Sequence, residues 1–159
     1  MAVDYILGNP IMREKDYPYE KAKLKCRFDE KLGVVRIRSA VSVPGEEAQA
    51  RALRSGPIVV VLNGEYLQHY KDGIFDPANC DASYENMNHA MVTIGYASGK
   101  KDGKPMDLWM LRNSWGEDFG TKGHLPVKKG TGVCGLGQYG ILITGEQGSF
   151  GPIGPIPGS

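Results

Sequence analysis

His89 heads an alternating apolar run, HAMVTIGYA, and Asn113 and Ser114 close the next one, DLWMLRNSW. Imidazole is the side chain best suited to proton transfer near neutral pH. An amide oxygen that accepts from one ring nitrogen fixes the tautomer and leaves the other nitrogen free to act as a base. If the two runs pair as a hairpin, His89 and Asn113 come to the same end of a sheet. A single histidine at a strand end is more often an ordinary, partly buried side chain, and it is the asparagine that makes the pair a candidate. Ser114 is a poor nucleophile for it, since no Gly-x-Ser-x-Gly elbow surrounds it and it adjoins the residue that would orient the base. Cys134, in GVCGLG, has no cation nearby in sequence to lower its thiol pKa. His69 and His124 do not stand in metal-ligand spacing with His89, so neither a metal nor another cofactor is expected. The chain thus offers a base and its orienter without an evident nucleophile.

The elements that must position these groups are short. Val3 to Leu7 reads as a helix end closed by Gly8 and Asn9, and DYPYEKAKLKC as an extended surface segment, because Pro18 biases Tyr17 away from helix. GVVRIRSAVSV (33–43) alternates like a half-buried strand. PGEEAQARALRSG predicts a helix with Pro44 in its first turn, acids at its positive end and arginines at its negative end. PIVVVLNG predicts a buried strand ended by an Asn-Gly turn, and EYLQHYKDG one or two helical turns stopped at Gly73. The runs at His89 and Asn113 are expected to be joined by the polar turn SGKKDGKP, with GHLPVKKG and YGILITG as further strands. The tail, GSFGPIGPIPGS, has seven Gly or Pro in twelve residues and predicts disorder over 148–159.

The 159 residues can bury one core, and a formal charge of +1 gives no field that would imply nucleic acid or an anionic membrane surface as partner. No run approaches the roughly 20 apolar residues of a membrane span, and the first residues lack the order of a signal peptide. Three cysteines, Cys26, Cys80 and Cys134, cannot all pair with one another, which leaves a reactive thiol or a bond outside the chain.

NHAMVTIGYA, LWMLRNSWGEDFGTKGH and GTGVCGLG, with YPYE, GPIVVVL and YKDGIFDPANC before them in the same order, resemble the carboxy-terminal part of the papain-like cysteine peptidases over residues 1 to about 145. The resemblance implies an α+β papain-like fold: residues 1–26 as a remnant of the helical lobe, 27–147 as the antiparallel β-barrel lobe. It implies His89 as general base and acid of a Cys-His-Asn constellation, Asn113 as its orienter and Trp115 as a shield over their bond, although Trp115 also reads as a plain core aromatic. It places Val61, Met87, Asn88 and Tyr139 around the subsite for the substrate residue two before the cut, an apolar pocket for a medium hydrophobic side chain. It pairs Cys80 with Cys134 and leaves Cys26 to bond a cysteine outside the chain.

The family's nucleophilic segment, of Cys-Gly-Ser-Cys-Trp type, matches none of KCR, NCD or VCG. In such peptidases the histidine follows the cysteine by about 130 to 150 residues, so the nucleophile is expected in an amino-terminal part preceding Met1. The chain alone is then expected to be inactive, its partners being a peptide or protein substrate and the missing lobe, reached through Cys26. Disulfides place the parent enzyme in a lysosomal or extracellular compartment. Phe119 and His124 stand where the family has tryptophan and tyrosine, and GILITG departs from its usual ending. Two other readings fit the same residues: one chain of a two-chain peptidase, and a non-catalytic binding or inhibitory module.

Overall fold

The computed structural model describes residues 2–147; the tail expected to be disordered, 148–159, lies outside the described residues. The described residues divide into two compact units, residues 41–143 and residues 2–40 together with 144–147. Residues 27–40, which the family resemblance groups with the β lobe, fall in the second of these.

In that unit, helix α1 (Ala2–Gly8) is closed by Asn9, whose backbone and side-chain N–H groups both donate to the Tyr5 carbonyl at 2.9 Å. Strand β1 (Ile11–Met12) pairs antiparallel with the start of β2 (Gly33–Ser42). Between them the chain forms no helix or strand until Asp29 caps a single 3-10 turn at Glu30–Leu32 by accepting from Lys31 N–H at 2.9 Å. It is not the fully extended segment that Pro18 predicts, since it turns at Arg13–Tyr17 and again at Lys21, φ 53°.

The unit 41–143 holds the candidate site. After helix α2 (Glu46–Ala52) come β3 (Ile58–Leu62), β4 (His89–Lys101), β5 (Lys104–Arg112), β6 (His124–Lys128) and the start of β7 (Gly140–Gln147). Their antiparallel order is β7-β3-β4-β5-β6. Ile58, Val60 and Leu62 alternate inward along the β-branched run of β3 and are fully buried. Met91, Trp109, Leu111, Leu125 and Val127 join them from the neighbouring strands, and Leu67, Phe75, Val133 and Leu136 from the connections. Burying each such side chain is worth about 1.5–3 kcal/mol, which holds the register that delivers His89 and Asn113 to one end of the sheet. Phe75 covers the outer edge of β6, donating its N–H to Pro126 O at 2.8 Å and accepting from Lys128 N–H.

Three local expectations change. Pro44 is not in the first helical turn: Gly45, at φ 90°, is the N-cap of α2. Val43 N–H donates to Gly140 O and Gly45 N–H to Gly137 O, so the helix begins only where the chain leaves that ladder. Asn63 and Gly64 do not make a hairpin turn. The Asn63 side chain accepts from Glu65 N–H at 3.0 Å and starts the 3-10 turn Glu65–His69, which ends at Tyr70 before Gly73 is reached. The polar linker between β4 and β5 is mostly strand, and only Asp102 and Gly103, at φ 52° and 76°, form the reversal. A two-residue turn with both φ positive matches the twist of a ribbon, whose polar outer rungs carry no apolar alternation to read.

Candidate active site

At its His89 end the β4–β5 ladder closes with Val92 opposite Arg112, and β3 ends with Leu62 opposite His89. Asn113 is therefore the first residue past β5, on the same edge as His89. Its backbone is held by donation to Gly123 O at 2.9 Å, and its side chain is buried, 7% exposed. Asn113 Oδ1 lies 2.9 Å from His89 Nε2 and 2.8 Å from the backbone N of Ser114. A backbone N–H can only donate, so the atom facing it is the amide oxygen, and Nε2 must then carry the hydrogen it shares with that oxygen. In the neutral ring this leaves Nδ1 as the lone-pair nitrogen, the form a general base needs. Asn113 Nδ2 is buried with no hydrogen-bond partner among the described residues.

Trp115 stacks at 47° on the His89 ring with centroids 4.9 Å apart, and meets Phe119 edge-on at 5.3 Å. Phe119 in turn packs on Tyr70 at 5.6 Å. Trp115 remains 45% exposed, so His89 and Phe119 together cover only part of it. The loop that carries it turns at Gly116 and Gly123, both at positive φ; a Cβ on Gly123 would stand 3.1 Å from the Gly116 carbonyl oxygen.

The other face of His89 is shaped by the end of β3. Asn88 Oδ1 accepts from Gly64 N–H at 2.9 Å, and a Cβ on Gly64 would stand 2.7 Å from His89 Cβ. Only glycine allows this approach. Asn63, 2% exposed, donates its N–H to Cys134 O at 2.8 Å and its side-chain amide to Asp81 O at 3.1 Å, tying three segments around the histidine. The sequence reading missed both residues: an Asn-Gly pair signals a turn, and its long-range ties leave no trace in spacing.

Val61 and Met87 are half-buried and Asn88 is exposed. Tyr139, 45% exposed, packs against Tyr84 with centroids 5.4 Å apart. The terminal methyl of Met87 fills the space that a side chain at Gly135 would need. Ser114 meets the pair through its backbone, and no hydrogen bond joins its hydroxyl to His89 among the described residues. Cys134 is buried and disulfide-bonded to Cys80, and Cys26 is an exposed free thiol in the other unit. His124 Nδ1 lies 2.8 Å from Lys122 O, and no group of three His, Cys, Asp or Glu side chains among the described residues is placed to hold a metal. The Asp81 carboxyl is held below the ordinary aspartate value, first by the Ser83 backbone N–H, then by the Ser83 and Asn86 side chains.

A family profile described as papain family cysteine protease matches residues 1–144. A probable cysteine protease of Arabidopsis thaliana is 32% identical over 93% of this chain and 41% of its own length. Cathepsin F of Drosophila melanogaster is 31% identical over 79% of this chain and 21% of its length. Among solved structures, digestive procathepsin L 3 from the larval midgut of Tenebrio molitor superposes with a TM-score of 0.79 at 31% identity, covering 89% of this chain and 46% of that one. Bromelain from Ananas comosus gives 0.73 at 26%, covering 90% and 67%. The chain thus spans less than half the length of these curated relatives.

Proposed function

The chain belongs to the papain family of cysteine proteases, with the papain-like fold, and from that premise we propose that it supplies the base and orienter of a Cys-His-Asn peptidase centre whose thiolate comes from polypeptide outside these 159 residues. The observation that carries this reading is the double acceptance by Asn113 Oδ1, from Ser114 N–H and from His89 Nε2–H, which leaves His89 Nδ1 free for a thiol.

In the assembled centre the thiol proton passes to Nδ1, giving a thiolate and an imidazolium. The thiolate attacks the substrate carbonyl carbon, and His89 returns the proton to the departing amine as the peptide bond breaks. Water, deprotonated by His89, then attacks the thioester, releasing the acid and restoring the thiol. Asn113 keeps the ring aligned through both transfers, and Trp115 shields the Nε2–Oδ1 bond from water. Val61, Met87, Asn88 and Tyr139 bound the subsite for the residue two before the cut, Asn88 acting partly through Gly64. Peptides and proteins are the substrates.

Alone the chain is inactive: Cys80 and Cys134 are bonded to each other, and none of the three cysteines stands in a Cys-Gly-Ser-Cys-Trp type segment. Residues 1–26 belong to the helical lobe in the assembled enzyme, 27–147 to the β lobe, and the Cys26 thiol bonds to the partner segment. The disulfide chemistry suits a lysosomal or extracellular setting. No helix among the described residues is long and apolar enough to cross a membrane.

The test is hydrolysis of a blocked fluorogenic peptide by residues 1–159 alone and after adding a papain-family amino-terminal lobe that carries the cysteine. The reading expects background rate alone, turnover on mixing, and its loss in His89→Ala. Turnover that persists in His89→Ala contradicts it.

A further inference from the structure

The segment between Cys80 and His89, DASYENMN, folds around the Asp81 carboxylate. Its Oδ1 accepts from Ser83 N–H and its Oδ2 from the Asn86 side-chain amide, both at 2.7 Å. These bonds close the 3-10 turn Tyr84–Asn86, whose first carbonyl accepts from Met87 N–H at 3.2 Å. Gln138 donates to Ala82 O at 2.6 Å, fastening the turn beside Tyr139. Tyr84 is thereby laid against Tyr139 at 45°, and the two rings stay 64% and 45% exposed. Neither phenol has a hydrogen-bond partner among the described residues, whereas the hydroxyls of Tyr66 and Tyr70 are both bonded.

The charge around this pair is one-sided. Residues 57–69, 79–93 and 131–143, which hold Gly64, Tyr84 and Tyr139, carry Glu65, Asp81 and Glu85 and no lysine or arginine, whereas the Asn113–Gly123 loop over the other face of His89 carries Glu117, Asp118 and Lys122. Glu85 is exposed, stands next to Tyr84 in the turn and makes no ion pair among the described residues. Aromatic faces beside an unpaired carboxylate attract a cation. A lysine or arginine side chain has an apolar stem that can lie on Met87 and Tyr139 while its charged head reaches the rim.

We propose that Tyr84 is a specificity-determining residue, and that the Tyr84–Tyr139 pair with Glu85 selects peptides carrying a basic side chain at the subsite proposed above for Val61, Met87, Asn88 and Tyr139. This rests on the peptidase reading for its purpose, since it names that site's substrate class, but the contact itself needs no nucleophile. It replaces the purely apolar side chain that Val61, Met87 and Tyr139 alone would favour.

The test titrates acetyl-Ala-Lys-Ala-amide and its norleucine isostere into isotopically labelled 1–159, with the amide spectrum of the chain as readout. The lysine peptide is expected to bind roughly fivefold more tightly, the size of an exposed cation–π contact, with shifts centred on Tyr84, Glu85 and Tyr139. Tyr84→Ala brings the ratio to about one while leaving norleucine binding in place, Tyr84→Phe keeps the preference, and Glu85→Gln lowers it and weakens its salt dependence. Equal affinities, no binding of either peptide, or a preference that survives Tyr84→Ala overturns the proposal. A lysine preference without hydrolysis in the mixing assay leaves this inference standing and removes the peptidase reading; hydrolysis without the preference does the reverse.

Discussion

A single oxygen atom, Asn113 Oδ1, decides what His89 can do. Because it accepts from Ser114 N–H as well as from the imidazole, it cannot be exchanged for the amide nitrogen without setting two donors face to face. The neutral His89 ring is therefore expected as the Nε2–H tautomer in a nitrogen–proton correlation spectrum. In Asn113→Ala that spectrum should become a mixture, with turnover in the assembled enzyme falling roughly fivefold or more, since one such bond is worth about 1 kcal/mol. Asp81 gives the residue-scale pH prediction. Its folded pKa is lowered, so its contribution to the turn is present above the ordinary aspartate pKa of about 3.9 and is lost as pH falls through the lower folded value. A carboxyl-detected titration should place its midpoint below the ordinary value, and Asn86→Ala should move it back up. A midpoint unchanged by Asn86→Ala would remove that side chain from the account.

At the scale of elements, two long-range ties hold the loops that frame the site. The disulfide joins Cys80 to Cys134 across 54 residues, and loop-closure entropy over that length predicts that replacing both cysteines by alanine costs about 2–4 kcal/mol in urea unfolding. The Glu46 carboxylate, at the start of α2, accepts from the buried Trp109 Nε1–H and from Gly130 N–H at 2.6 Å, and from Gly132 N–H at 2.8 Å. Glu46→Ala strands those donors and should cost about 2–3 kcal/mol by the same measurement. Neither Glu46 nor Asn63 is visible as a tie in the sequence. Glu46 reads as an acid at a helix start and Asn63 as half of a turn, because both act on partners far along the chain. The strands around His89 are legible for the opposite reason: β3 and the inner halves of β4 and β5 bury alternate apolar side chains, and that alternation is written in the residues themselves. Where β4 and β5 run on as a polar ribbon, the alternation ends and so does the signal.

Across the whole molecule, the motifs around His89, Asn113 and Trp115 carry the family resemblance in the residues themselves, and the family match over residues 1–144 agrees with them. The Tyr84 turn lay outside that reach, since DASYENM looks like any polar loop until Asp81 is seen to close it. In the proposed function, His89 and Asn113 form a base waiting for a thiol from another segment. The most direct test is the pH dependence of alkylation of that thiol once a cysteine-bearing lobe is bound to residues 1–159. A thiolate paired with protonated His89 should be alkylated rapidly at acidic pH, well below the ordinary thiol pKa of about 8.5, and should lose that reactivity in His89→Ala. A thiol that reacts only as pH rises through its ordinary value, with His89 and Asn113 intact and the lobe bound, would contradict the proposed function.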